Sequence, residues 1–178
     1  MTRVPARNGR GLIAPTILAV CNKPGVRVIL LPITHLREES LVPARRNKAL
    51  VRRFLDEVYN RGNLAVADEA IAKRYISHNK LNLEVTGPAG IKKAAQLQRR
   101  AFPDIKTHFE DLIAEGDKVV VRAYDTGTHT GGPFLGLPPR GKKFKVTWIN
   151  IFRVEEDKLA EAWVEVDVED WRRQLAGK

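Results

Sequence analysis

Lys143-Phe-Lys-Val-Thr-Trp-Ile-Asn-Ile-Phe-Arg-Val154, the turn Glu155-Glu-Asp157 and Lys158-Leu-Ala-Glu-Ala-Trp-Val-Glu-Val-Asp-Val168 decide the fold. In the second arm, Glu161, Trp163, Glu165 and Asp167 alternate with Ala162, Val164 and Val166. Side chains of a strand point to opposite faces with period two, so three carboxylates and an indole share one face. Such a face is costly unless it meets water, a cation or a ligand cavity. The pattern predicts a small cupped sheet that presents an acid or base to an apolar guest.

Period two continues upstream. Phe109, Asp111 and Ile113 alternate with His108, Glu110 and Leu112, and Glu115-Gly-Asp117 turns into a long strand from Lys118 to Thr130. The loop Gly131-Gly-Pro-Phe-Leu-Gly-Leu-Pro-Pro-Arg-Gly141 is long for a hairpin and carries Phe134, Leu135 and Leu137. Before Lys106 the period is helical. Leu50, Val51, Phe54, Leu55 and Val58 form one apolar stripe opposite Arg52, Arg53, Asp56 and Glu57. Asn60-Arg-Gly62 ends that helix, Asn63 caps a second one through Ile71, and Gly87-Pro88 opens a third that stops at Phe102-Pro-Asp104. Val168–Leu175 closes the chain as a short helix. Helices first and antiparallel strands afterwards give an α+β class with the helices over one sheet face.

Charge and composition narrow the partners. The chain has 178 residues and a net charge of +10. Residues 1–46 hold eight basic and two acidic side chains, whereas residues 47–178 hold 23 basic and 19 acidic. The one dense basic patch of the body is Arg140-Gly-Lys-Lys-Phe-Lys145, with a single interleaved aromatic, too little for a stacking platform. It reads as a charged edge strand, so no specific nucleic-acid partner is expected. Cys21 is the only cysteine, and His35, His78, His108 and His129 form no His-x-x-x-His pair, so no metal site is expected. No apolar run reaches membrane-spanning length.

Residues 1–46 read as an extension, with Pro5, Pro15, Pro24, Pro32 and Pro43 interrupting any helix. Arg3, Arg7 and Arg10 before an apolar stretch suggest a secretory signal, but Pro15 breaks that stretch and Val20 stands where a lipoprotein cleavage box wants a small residue. A poorly ordered or non-native extension, and a cytoplasmic location, are the readings favoured. The domain is expected over residues 47–178.

Several stretches carry a family resemblance. They are Asn47-Lys-Ala-Leu-Val-Arg-Arg-Phe-Leu-Asp-Glu-Val-Tyr-Asn-Arg-Gly-Asn63, Tyr75-Ile-Ser-His-Asn79, Gly87-Pro-Ala-Gly-Ile91 and Ala101-Phe-Pro-Asp104. Gly127-Thr-His-Thr-Gly131, Phe134-Leu-Gly-Leu-Pro-Pro-Arg-Gly141 and the closing Trp163-x-x-x-Asp167 continue the series. The chain resembles the SnoaL-like polyketide cyclases over residues 47–177. The resemblance implies an NTF2-like cone, in which a curved antiparallel sheet wraps around N-terminal helices and encloses a pocket, with frequent homodimerisation. It implies cofactor-free acid/base chemistry on a hydrophobic, carbonyl-bearing small molecule, in the manner of a polyketide or ester cyclase. A non-catalytic binding or dimeric accessory protein is the alternative, because one fold hosts many functions. Two departures stand out: Ala162 replaces a histidine often found before the tryptophan, and Asp157 replaces a turn glycine.

The family's strand-end aspartate maps onto Asp167, the first catalytic candidate. Its plainer role is to cap the following helix. His78 is read as an oxyanion donor or as a structural residue at the end of a helical segment. His129 is read as a catalytic group beneath a covering loop, or as a backbone anchor. Trp163, Trp148, Tyr124 and Phe134 are the candidate pocket walls, while Glu161 and Glu165 are expected nearer the rim or the dimer surface, one of them pairing with Arg122 or Arg153.

Overall fold

The computed structural model describes the backbone of residues 33–177 except 80, 82 and 83, and side chains from Pro43 onward. The expected extension over residues 1–32, with its signal-like arginines and Cys21, lies outside the described residues. Apart from the first ten residues of the first helix, every feature below belongs to one compact unit, Pro43–Lys178.

Helix α1 spans Ile33–Phe54 and is followed without a break by a π-helical turn, Leu55–Asn60. The helical period read from Asn47 to Tyr59 thus begins earlier, at Ile33: Pro43 lies inside α1, where its missing N–H removes one i→i−4 bond without ending the helix. Val51, Phe54, Leu55 and Val58 are buried, as their spacing requires. Helix α2 (Ala65–Ala70) leads directly into strand β1 (Ile71–Asn79). A helix was expected up to Ile71, and His78 at a helical end. Instead Ile71 and Tyr75 point from β1 into the core, and β1 finds hydrogen-bond partners along β5. Helix α3 (Gly87–Ala101) carries Pro88 in its first turn and buries Ile91, Ala95 and Ala101.

Four strands follow: β2 (Lys106–Glu115), β3 (Lys118–His129), β4 (Lys142–Glu155) and β5 (Lys158–Val166), and then helix α4 (Val168–Ala176). The sheet order is β1-β5-β4-β3-β2. Neighbours pair antiparallel except β1 and β5, which run parallel. Glu156 and Asp157 take φ of 48° and 58° in the β4–β5 turn, the left-handed pair a two-residue hairpin needs. The architecture is the α+β, NTF2-like one: one curved sheet with helices on its inner face.

The core has two parts. The larger joins α1, the π-turn, α2 and α3 to the inner faces of β3, β4 and β5, with Val119, Val121, Ala123, Phe152 and Ala162 among its members. The smaller is aromatic and holds Phe102, Phe134, Phe144 and Trp171 with Val146 and Leu175. Gly131 ties the long loop to this second core. A Cβ there would sit 1.8 Å from the Arg100 carbonyl oxygen, while Gly131 and Gly132 donate backbone N–H groups to Ala101 and Arg100 at 3.1 and 2.8 Å. Phe134 is consequently fixed in the core and packs on Phe102 at 4.9 Å. No helix among the described residues is long and apolar enough to cross a membrane.

Candidate active site

An interior cavity opens between the helices and the concave side of the sheet, with about 110 Å³ of free space. The π-turn supplies Leu55 and Tyr59, β1 supplies Tyr75, Ser77 and Asn79, and α3 supplies Ile91, Ala94 and Gln98. Strands β2 to β5 add Thr107, Asp125, Trp148, Asn150, Phe152, Val164 and Val166, and α4 adds Trp171. Most of this wall is apolar, and its polar groups are few enough to matter individually.

Asp125 is the carboxylate of the cavity. It is 8 % exposed, and it occupies the inward phase of β3, after Val119, Val121 and Ala123. Burial pushes its pKa up, while the Trp148 indole, the Thr107 hydroxyl and the His108 side chain partly offset this by favouring the charged form. Thr107 Oγ1 donates to Asp125 Oδ1 at 2.7 Å. The Trp148 N–H lies near the same carboxylate but outside the distance and angle of a full hydrogen bond. Thr107 is itself held by Asn60 at the end of the π-turn. Asn60 Oδ1 accepts from the Thr107 N–H at 2.7 Å, and Asn60 Nδ2 donates to the Thr107 carbonyl at 3.2 Å and to Asp56 at 2.9 Å. The extra backbone residue of a π-turn is what re-aims a helix end in this way. Burial also pushes the Tyr59 and Tyr75 phenols well above their ordinary values, so both keep their protons.

The residues singled out from sequence fall elsewhere, with one exception. Trp148 lines the cavity. Asp167 was expected inside it, but β5 ends at Val166, and Asp167 is exposed at the N-cap of α4, where it accepts the Asp170 N–H at 2.8 Å. Glu161, Trp163 and Glu165 do share one face, and it is the outer one: Ala162, Val164 and Val166 face the core. The pattern sorted the two phases correctly, but the acids lie on the outer face, where water and neighbouring cations rather than the interior cavity meet them.

On that outer face His78 Nε2 meets Glu161 Oε1 at 2.9 Å and its ring stacks on Trp163, with centroids 5.6 Å apart. Arg153 Nε donates to Glu161 at 3.0 Å. Together His78, first, and Arg153 hold the Glu161 pKa below its ordinary value. Tyr124 also faces outward, stacked on His108 at 4.7 Å beneath the Lys145 ammonium. His129 is fully buried, but in the aromatic second core beside Phe102, where Nε2 bonds the Gly132 carbonyl at 2.9 Å. Its anchoring role is therefore the one seen. Phe134 lies in that same core and does not line the cavity. Among the described residues no group of three or more His, Cys, Asp or Glu side chains is placed to hold a metal ion.

The site residues missed from sequence left a trace in it. Asp125 is the one acid in the inward series 119, 121, 123, 125, 127 and 129, and Asn150 is the one amide in the series from Phe144 to Val154. A polar residue in the apolar phase of a strand is an intruder that needs a reason.

Comparison with known proteins agrees with this architecture. Residues 49–175 match the family model described as SnoaL-like polyketide cyclase. The chain is 30 % identical over 126 residues to the aklanonic acid methyl ester cyclase DauD of Streptomyces sp. (strain C5), covering 68 % of this chain and 73 % of that protein. It is equally similar to DnrD, of the same description, from Streptomyces peucetius, covering 68 % and 81 %. Among solved structures, TsrD from Streptomyces laurentii superposes with a TM-score of 0.68 at 31 % identity, over 75 % of this chain and 97 % of that one. IdmH from Streptomyces antibioticus gives 0.62 at 28 % identity, over 73 % and 98 %. By its matched span, its fold and these relatives, the chain belongs to the SnoaL-like polyketide cyclase family.

Proposed function

We propose that this protein is an acid/base enzyme that closes a ring in a hydrophobic, carbonyl-bearing small molecule, with Asp125 as the proton-transfer group. The observation that carries the proposal is a single carboxyl group in the apolar cavity, its proton affinity raised by burial and its orientation held by Thr107. A general base works best when its pKa lies near the operating pH, and desolvation moves a carboxyl group in that direction.

The chemistry balances within the substrate. The Asp125 carboxylate takes a proton from carbon next to a carbonyl, and that C–H electron pair becomes an enolate. The enolate carbon attacks a second carbonyl carbon of the same molecule, one C–C bond forms, and the C=O π pair becomes an alkoxide. The alkoxide then receives the proton from Asp125. Nothing is oxidised or reduced, so the reaction calls for no redox partner. Tyr59 and Tyr75, which keep their protons, supply O–H donors in the cavity wall where negative charge develops on oxygen. Apolar residues such as Phe54, Phe152 and Val164 exclude water from the enolate.

Two relatives bear the name aklanonic acid methyl ester cyclase, so that ester belongs in the first substrate panel. Purified protein is expected to convert a member of a panel of enolisable methyl esters to its cyclic isomer of unchanged mass. Asp125→Asn is expected to slow this by about 10²- to 10⁴-fold, the usual contribution of a general acid/base. An Asp125→Asn variant that retains full activity removes Asp125 from the mechanism.

A further inference from the structure

Three buried polar atoms of cavity-lining residues have no hydrogen-bond partner among the described residues: Trp148 Nε1, which lies near Asp125, and Trp171 Nε1 and Asn150 Oδ1, which have no such neighbour. Trp171 is 2 % exposed, so its N–H cannot be satisfied by bulk water. Its ring packs at 5.7 Å on Phe102, 4.8 Å on Phe134 and 5.3 Å on Phe144, none of which carries an acceptor. Trp171 also lines the cavity, so a guest held there lies beside the indole. Asn150, on β4, sits opposite Val121 of β3 and Val164 of β5, which also offer nothing polar from their side chains. An orphaned buried donor is rare in folded proteins and costly to leave unpaired, so it calls for a reason.

We propose that Trp171 is a specificity-determining residue, whose indole N–H takes a carbonyl oxygen of the guest and so places it in the cavity. This rests on the acid/base reading above only for its purpose, since a carbonyl fixed in the cavity is the group next to which Asp125 removes a proton. Asn150 supplies an acceptor in the same cavity, so the site favours guests bearing oxygen functions over hydrocarbons of the same shape. A site built to hydrogen-bond a guest rejects the analogue that lacks the matching group, because its own buried group is then left unpaired. The free space of about 110 Å³ suits one ring of the guest, since an engineered apolar cavity of about 150 Å³ admits benzene.

The test uses two probes of nearly equal shape, acetophenone and α-methylstyrene, which differ by C=O against C=CH₂. Full-length protein labelled with ¹⁵N at tryptophan gives one indole N–H signal each for Trp148, Trp163 and Trp171. Acetophenone is expected to bind and to move the Trp171 signal downfield, while α-methylstyrene leaves it near its free position. In Trp171→Phe, which keeps an aromatic ring, the ratio of ketone to alkene affinity is expected to fall roughly three- to tenfold, the value of one neutral hydrogen bond. A merely structural tryptophan would lower both affinities alike. The proposal is overturned if acetophenone does not bind at millimolar concentration, if the Trp171 signal responds equally to both probes, or if the ratio is unchanged in the variant. Should Trp171→Phe fail to fold, the wild-type signals alone decide. Repeating the titration in Asp125→Asn separates the two ideas: the Trp171 response persists there even if Asp125 moves no proton.

Discussion

Thr107→Val isolates the contact that orients Asp125. Valine keeps the shape of threonine and deletes one donor, the hydroxyl that lies 2.7 Å from Asp125 Oδ1. Both residues are buried, at 6 % and 8 % exposure, so water does not replace the lost bond freely. A hydrogen bond to a charged group is worth about 1.5–3 kcal/mol, and about 1.4 kcal/mol is a factor of ten in an equilibrium. The donor favours the ionised carboxyl, so its removal is expected to raise the proton affinity of Asp125 about ten- to hundredfold. Difference infrared spectroscopy of the protonated carboxyl band, recorded against pH with Asp125→Asn as the blank, reads this directly. The band is expected to persist to higher pH in Thr107→Val than in the wild type. The acid limb of the activity profile moves the same way, with activity recovering at high pH. A band that titrates at the same or a lower pH would refute the claim that Thr107 stabilises the charged form.

Three further outcomes follow from the packing and the charges. Phe102→Ala removes the ring at the centre of the second core, between Phe134, Phe144, Trp171 and His129, and is expected to cost about 3–5 kcal/mol in chemical denaturation; a loss below 1 kcal/mol would show that this cluster packs loosely. Because burial raises the Asp125 pKa, the folded state holds its proton more tightly than the unfolded one, and the stability associated with that proton is lost as pH rises through the folded value. Asp125→Asn is accordingly expected to melt above the wild type at neutral pH, with the gap closing on acidification toward the ordinary carboxyl value of 3.8; a gap of constant size contradicts the assigned direction. Asp167→Ala removes the α4 N-cap and is expected to cost about 1 kcal/mol in thermal or chemical unfolding, whereas Asp167→Asn, which can still cap, costs much less.

Much of the fold was legible because local patterns and tertiary packing agreed. From Lys106 onward each alternating run became a strand, Glu115-Gly-Asp117 and Glu155-Glu-Asp157 became its turns, and Val168 began the last helix. Strand β1 was not legible: Lys73 and Arg74 interrupt the alternation between Ile71 and Tyr75, and the pairing that makes it a strand comes from β5, more than eighty residues later. Helix α1 began earlier than proline punctuation suggested.

The site was harder, for a specific reason. Period two separates the faces of β5 but does not say which one is inside. Glu161, Trp163 and Glu165 form a conspicuous set, yet it is the apolar phase that faces inward, with Ala162 in the core and Val164 and Val166 on the cavity wall. The inward acid lies two strands away, alone among Val119, Val121 and Ala123, where nothing in its immediate sequence announces it. The π-turn that places Tyr59 and Asn60 looks, in sequence, like the last turn of an ordinary amphipathic helix.

The central claim is that Asp125 removes a proton from carbon inside the cavity. The most direct measurement is deuterium incorporation next to the carbonyl of an enolisable ester incubated with the protein in D₂O, followed by mass spectrometry for wild type, Asp125→Asn and Asp167→Asn. Exchange in the wild type and in Asp167→Asn at similar rates, with loss of at least a hundredfold in Asp125→Asn, is the predicted result. Exchange that survives in Asp125→Asn and disappears in Asp167→Asn would contradict it.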